Sequence, residues 1–241
     1  MRRFLFVALA LAVATAARAQ VMGGRVAGSR HDFSVTGPGP FRAVSETSPC
    51  IFCHVSHNSG EKLTNRPDPG TSHRPYDSST VRNKAHAPSG ASRVCLSCHD
   101  GTVAVGSTRT RKIAMVGPDL IPAGHQANLG TDLRGSHPVS FSPGTAPGTH
   151  APHARDAVRL DRAGEVQCTS CHDPHVERTD PVVGKFLVKP SAASALCLSC
   201  HDALAVAANA SSHALSSTRL GTWTAPNADR ALMRPKRLSM T

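Results

Sequence analysis

Cysteine and histidine recur in this chain in one fixed order. Cys50, Cys95, Cys168 and Cys197 are each followed at +3 by Cys53, Cys98, Cys171 and Cys200, and at +4 by His54, His99, His172 and His201. All 8 cysteines are used in this way. Random placement would give a cysteine this pair of followers roughly 0.002 of the time, so four occurrences need a chemical cause. A zinc ribbon uses paired CxxC motifs but does not require a histidine after each. A disulfide framework does not require it either. Covalent attachment of a c-type haem requires all three residues, because each thiol adds to one porphyrin vinyl group and the adjoining imidazole faces the iron. One haem c per motif is therefore the expectation, with zinc and disulfides as the alternatives.

An iron so held has a second axial position, and its occupant sets the role of the haem. Methionine is scarce, with 5 residues against 14 histidines, so histidine is the expected distal ligand. His57 and His175 each lie three residues after a motif histidine. At that spacing the two rings of a helical turn project from the same side, so His57 and His175 are each expected to serve a haem other than the one beside them. His31 and His137 follow as candidates, because each precedes the first motif of its half of the chain; His213 is a reserve. His73, His125, His150 and His153 sit in Ser/Pro/Gly-rich stretches and are expected to be solvated, and His86 is open between the two readings.

The surrounding chain is a poor builder of ordinary elements. Aromatic residues make up 4%, Gly and Pro number 19 and 18, and few stretches keep a helical or strand period. Such a sequence cannot readily offset its ordering entropy by burying side chains alone. The expected fold class is mostly irregular with short α-helices, the polypeptide wrapped around a four-haem core. The order of features repeats: His137-Pro-Val-Ser-Phe echoes His31-Asp-Phe-Ser-Val, Cys168–His175 echoes Cys50–His57, and Leu196–Asp202 echoes Val94–Asp100. Self-similarity at so long a period predicts two di-haem modules, 20–115 and 116–215, followed by a basic tail over 216–241.

Residues 1–19 read as a secretory signal peptide: Arg2 and Arg3, an apolar run, then Ala17-Arg18-Ala19. That run is too short to span a bilayer, so the mature protein is expected to be exported without a membrane anchor. The formal charge of +11 would ordinarily suggest an acidic partner or nucleic acid. Loss of the three leader arginines and pairing of the remainder with haem propionates answers most of it, and no RNA-binding signature accompanies it. Nucleic acid is not an expected partner.

The runs S-R-H-D-F-S-V-T-G-P-G, C-I-F-C-H-V-S-H-N, S-R-V-C-L-S-C-H-D-G-T-V-A-V-G, S-H-P-V-S-F and V-Q-C-T-S-C-H-D-P-H resemble the exported tetrahaem cytochromes c of the doubled-CxxCH class, found in bacteria that respire with metals or other external acceptors. The resemblance implies an electron carrier with His31, His57, His137 and His175 at distal-ligand positions. It also implies other redox proteins as partners, cytochromes among them, and a periplasmic, outer-surface or extracellular location. Some relatives assemble into filaments through a ligand donated by the next subunit. The loop at 144–156 and the tail after 213 depart from that pattern. No general acid, base or nucleophile is expected; the enzymatic alternative is a multihaem reductase with one open iron, and the structural alternative is a subunit of a conductive filament.

Overall fold

The computed structural model describes residues 26–55, 64–77, 85–144 and 148–203. Residues 1–19, expected to be a leader, lie outside the described residues, as do His57, His213 and the basic tail. Within them regular structure is sparse, as the Gly/Pro content requires. A two-residue strand β1 (Arg42–Ala43) pairs antiparallel with β2 (Met115–Val116). The helix α1 (Gly90–His99) has ten residues, and α2 (Cys168–Cys171) is a single turn. Short 3-10 turns cover Pro49–Phe52, Ala192–Ser194 and Cys197–Ser199. Every described helix or turn but Ala192–Ser194 therefore carries motif cysteines, since one turn of helix is what brings residues i and i+3 to the same side.

α1 stops where its sequence says it should. Asp100 N–H still bonds the Leu96 carbonyl (3.0 Å), and Gly101 then turns into the left-handed region at φ 74°. Glycine is needed there twice over: a Cβ would also lie 2.4 Å from Asn128 Nδ2. That reversal leaves His99 half-buried at the end of the helix, where its ring meets the 121–129 segment.

The apolar core is correspondingly small. Phe41, Val105 and Ile121 form one cluster, and Ala43, Phe52 and Ile113 another, with Phe33 and Met115 packed against both. Met115 is thus a packing residue within the strand pair. In the later half Val158, Val166, Phe186 and Leu187 are buried, and much of the remaining interior is polar. Gln167, 1% exposed, accepts from Ser92 N–H (3.2 Å) and Ser92 Oγ (2.6 Å), while its own Nε2 donates to Asp161 (2.9 Å). Ser92 Oγ in turn accepts from Cys168 N–H (3.0 Å). This clip locks the start of α1 to the start of α2 and so fixes the second motif against the third.

The boundary expected between residues 115 and 116 falls inside β2, whose partner strand is β1. Arg74 N–H also bonds the Thr131 carbonyl (2.9 Å), and Arg30 pairs with Glu177 at 3.3 Å. Contacts between the two halves are therefore numerous in backbone as well as side chain. Among the described residues, no helix is long and apolar enough to cross a membrane.

Candidate haem-binding site

The first motif is held by its neighbour in sequence. Asn65, fully buried, donates from Nδ2 to the Ile51 carbonyl (2.6 Å) and from its backbone N–H to the Cys53 carbonyl (2.8 Å). His54 bridges to Thr64. In the second motif Leu96 points inward while Cys95, Cys98 and His99 are half-buried. The third and fourth motifs are single turns, and the fourth is covered by the 148–150 segment: His150 N–H bonds the Cys200 carbonyl at 2.7 Å.

Hydrogen bonds fix the tautomer of four of these histidine rings. A carbonyl oxygen can only accept, so a ring Nδ1 bonded to one must carry the proton, leaving the Nε2 lone pair for a metal. His99 Nδ1 donates to the Ala127 carbonyl (2.8 Å), and His172 Nδ1 to the Lys185 carbonyl (2.8 Å). His137 Nδ1 donates to its neighbour's carbonyl at Pro138 (2.9 Å), and His175 Nδ1 to the Asp173 carboxylate (2.9 Å). Outer partners of this kind orient a ligating imidazole and raise its basicity. Lys185 and Phe186 reach their positions through consecutive left-handed backbone conformations, φ 51° and 59°. Such conformations cost non-glycine residues free energy and collect at functional sites. Here they aim the Lys185 carbonyl at His172 and lay the Phe186 ring on His31, centroids 4.3 Å apart.

Three of the four motif histidines face a second histidine. His99 and His31 have ring centroids 5.9 Å apart, His54 and His175 6.1 Å, and His201 and His137 6.3 Å. Two imidazoles on opposite sides of one metal, each at a metal–nitrogen distance of about 2.0 Å, have centroids roughly 6.3 Å apart. Spacing alone does not single these pairs out, since His150 and His153 lie 5.9 Å apart. What does is that each pair joins a motif histidine to one of the histidines marked by the internal repeat. The repeat maps His31–His99 onto His137–His201, and those two pairs share an interplanar angle, 86° and 88°. His54 and His175, the pair that joins the two halves, are nearly parallel at 15°.

Electrostatics favours the neutral form of these rings. Burial, reinforced by His99 close by, lowers the pKa of His31 to about 4, so the ring is neutral at pH 7. Its Nδ1 is buried without a hydrogen-bond partner. Burial likewise lowers His99, His137 and His201. The cysteines are unpaired, and burial raises the Cys53, Cys171, Cys197 and Cys200 thiols. Cys95 and Cys168 hydrogen-bond each other, raising the first and lowering the second. An apolar cleft beside them is lined by Leu96, Leu129, Leu133, Val139 and Cys168, with His137 in its wall. Thiols beside apolar walls, neutral imidazoles and paired rings are the donor set that a covalently held, six-coordinate haem iron requires. Among the described residues no three His, Cys, Asp or Glu side chains converge as a zinc ribbon would need.

Residues 162–206 match the family described as the doubled CXXCH motif. The match covers the third and fourth motifs, and the first two repeat the same pattern. It supports a protein of the multihaem cytochrome c type, and the CxxCH motifs indicate covalent c-type haem and electron transfer. Comparison with curated proteins found no match.

One expectation is corrected. His73, expected in solvent, is buried, and its Nε2 lies 2.9 Å from Asp100 Oδ2, both side chains fully inaccessible. Asp100 Oδ1 accepts in addition from Thr102 N–H and Oγ1, each at 2.8 Å. The Ser/Pro-rich context suggested a loop, and it is one; the loop is simply pinned to the end of α1 by its histidine. The acidic residue after the motif, present again at Asp173 and Asp202, was the available signal. His86, His125 and His153 are exposed, whereas His150 is half-buried over the fourth motif.

Proposed function

We propose that this chain is an exported electron carrier that holds four covalent c-type haems, each iron between two histidines. The observation that carries the reading is the set of three facing histidine pairs. In this reading Cys50/Cys53, Cys95/Cys98, Cys168/Cys171 and Cys197/Cys200 tether the groups, and His54, His99, His172 and His201 are the proximal ligands. His175, His31 and His137 are the distal ligands of His54, His99 and His201. The repeat then assigns His57 to His172, the reciprocal of the His54–His175 exchange. When bound, haem c supplies a one-electron couple whose potential follows its ligands, exposure and nearby charge.

The chain's own residues do the rest. The Ala127 and Lys185 carbonyls hold imidazole tautomers, and the α1–α2 clip holds the second and third motifs together. The exchange of ligands between first and third motifs ties the two di-haem modules, 20–115 and 116–215, into one relay. The leader places the mature protein in the periplasm, on the outer surface or outside the cell. Its partners there are other redox proteins, cytochromes among them, and further copies of itself are a candidate partner. Respiration with an external acceptor is the matching physiological role.

Near-infrared magnetic circular dichroism of the oxidised holoprotein tests the ligand set, because His/His, His/Met and high-spin irons give separate bands. All four irons should report His/His. Electron paramagnetic resonance should further divide them into near-perpendicular and near-parallel ring pairs, two of each. A His/Met band or a high-spin component in the wild-type protein would refute the assignment.

A further inference from the structure

We propose that Arg66 is a fixed buried cation that holds the haems of the first and second motifs at a higher reduction potential than their histidine ligands alone would give. The inference rests on the electron-carrier reading above. Arg66 is 5% exposed. Its guanidinium donates from Nε to Ser97 Oγ (3.0 Å), from Nη1 to the Val105 (2.8 Å) and Ser107 (2.7 Å) carbonyls, and from Nη2 to the Ser97 (3.3 Å) and Ala104 (3.1 Å) carbonyls. Each of these partners is neutral, and among the described residues no carboxylate pairs with it. A buried arginine usually has an anionic partner, because withdrawing a charge from water is costly. Here five oxygen dipoles solvate the cation and leave its unit charge uncancelled.

The placement gives that charge a target. Arg66 follows Asn65, whose backbone is bonded to Cys53, and its side chain crosses to Ser97, inside the Cys95–Cys98 turn. It is thus wedged between the second cysteines of two motifs. One-electron reduction lowers the positive charge at an iron by one unit and breaks no bond. A fixed cation in a medium of low dielectric therefore stabilises the reduced state relative to the oxidised one. A purely structural clip between the 104–107 loop and α1 would need the hydrogen bonds but not the charge.

The test is a spectroelectrochemical titration of the four-haem protein. Arg66→Gln removes the charge and keeps part of the hydrogen bonding; Arg66→Lys keeps the charge and loses the fork. Ser97→Asp places a carboxylate against the guanidinium without touching Arg66, and decides the matter alone should Arg66→Gln fail to mature. In Arg66→Gln and Ser97→Asp, one or two of the four redox steps should move to more negative potential. The expected size is about a tenfold rise in the oxidised-to-reduced ratio at fixed potential, or 59 mV for one electron. Arg66→Lys should titrate as wild type. Wild-type potentials in both charge-cancelling variants, or an equal shift in Arg66→Lys, would overturn the role of the charge. Absence of haem at the first two motifs of the wild-type protein would instead defeat the electron-carrier reading itself.

Discussion

Replacing His175 by alanine should open the iron of the first motif, more than a hundred residues earlier in the chain, and leave the iron of its own motif six-coordinate. His175 follows the third motif, yet its ring faces His54 at 6.1 Å. Removing one of two axial imidazoles converts a low-spin iron into one that can bind an external ligand. His175→Ala should therefore show one high-spin iron and bind one carbon monoxide per chain, where the wild type binds none. Removing the first haem through Cys50→Ala and Cys53→Ala should abolish that binding, because the two changes then act on one site and are not additive. Carbon monoxide binding that persisted in the triple variant, and vanished only with Cys168 and Cys171 replaced, would place His175 on its own motif instead.

Protein made without haem attachment should have no cooperative fold. Ordering a backbone costs about 1–2 kcal/mol per residue, and burying a large aliphatic or aromatic side chain returns about 1.5–3 kcal/mol. Among the described residues 13 hydrophobic side chains are buried, far too few to offset the ordering of a chain of 241 residues. Four tethered macrocycles would supply the missing apolar surface. The apoprotein should lack a sigmoidal unfolding transition in urea and be cleaved by protease throughout, while the holoprotein unfolds sharply and resists. A sharp apoprotein transition would show that the polypeptide builds its own core.

How much of this was readable in the amino-acid order depends on the range of the interaction. The motifs are local chemistry, and their residue types announce themselves. The positions of His31, His137 and His175 stood out because a repeat marks equivalents without any knowledge of contacts. The sparse, irregular architecture followed from composition. The facing of His31 on His99 or His175 on His54 needed coordinates, since it joins distant segments. Three features left little trace. The Ala127 and Lys185 carbonyls that orient His99 and His172 are backbone atoms, which any residue type could provide. His73 looked like a solvated loop histidine because its partner, Asp100, is 27 residues away. Arg66 lies in a polar stretch where a basic residue normally faces water, and the one acidic neighbour two residues on, Asp68, pairs with Arg93 instead.

The same reasoning explains why the Gln167 clip was missed. A glutamine before a motif cysteine carries no signature, yet its side chain reaches Ser92, 75 residues earlier. Such contacts matter here because the chain has little else to set the relative placement of its motifs. Where the apolar core is small, buried polar groups with full hydrogen bonding supply the specificity.

Intact-mass spectrometry of the mature protein, secreted from a host able to attach haem, tests the central claim most directly. The chain cleaved after Ala19 should carry four covalent haem additions, none removable by acidified organic solvent. Fewer than four, or a chain with free thiols and bound zinc, would contradict it.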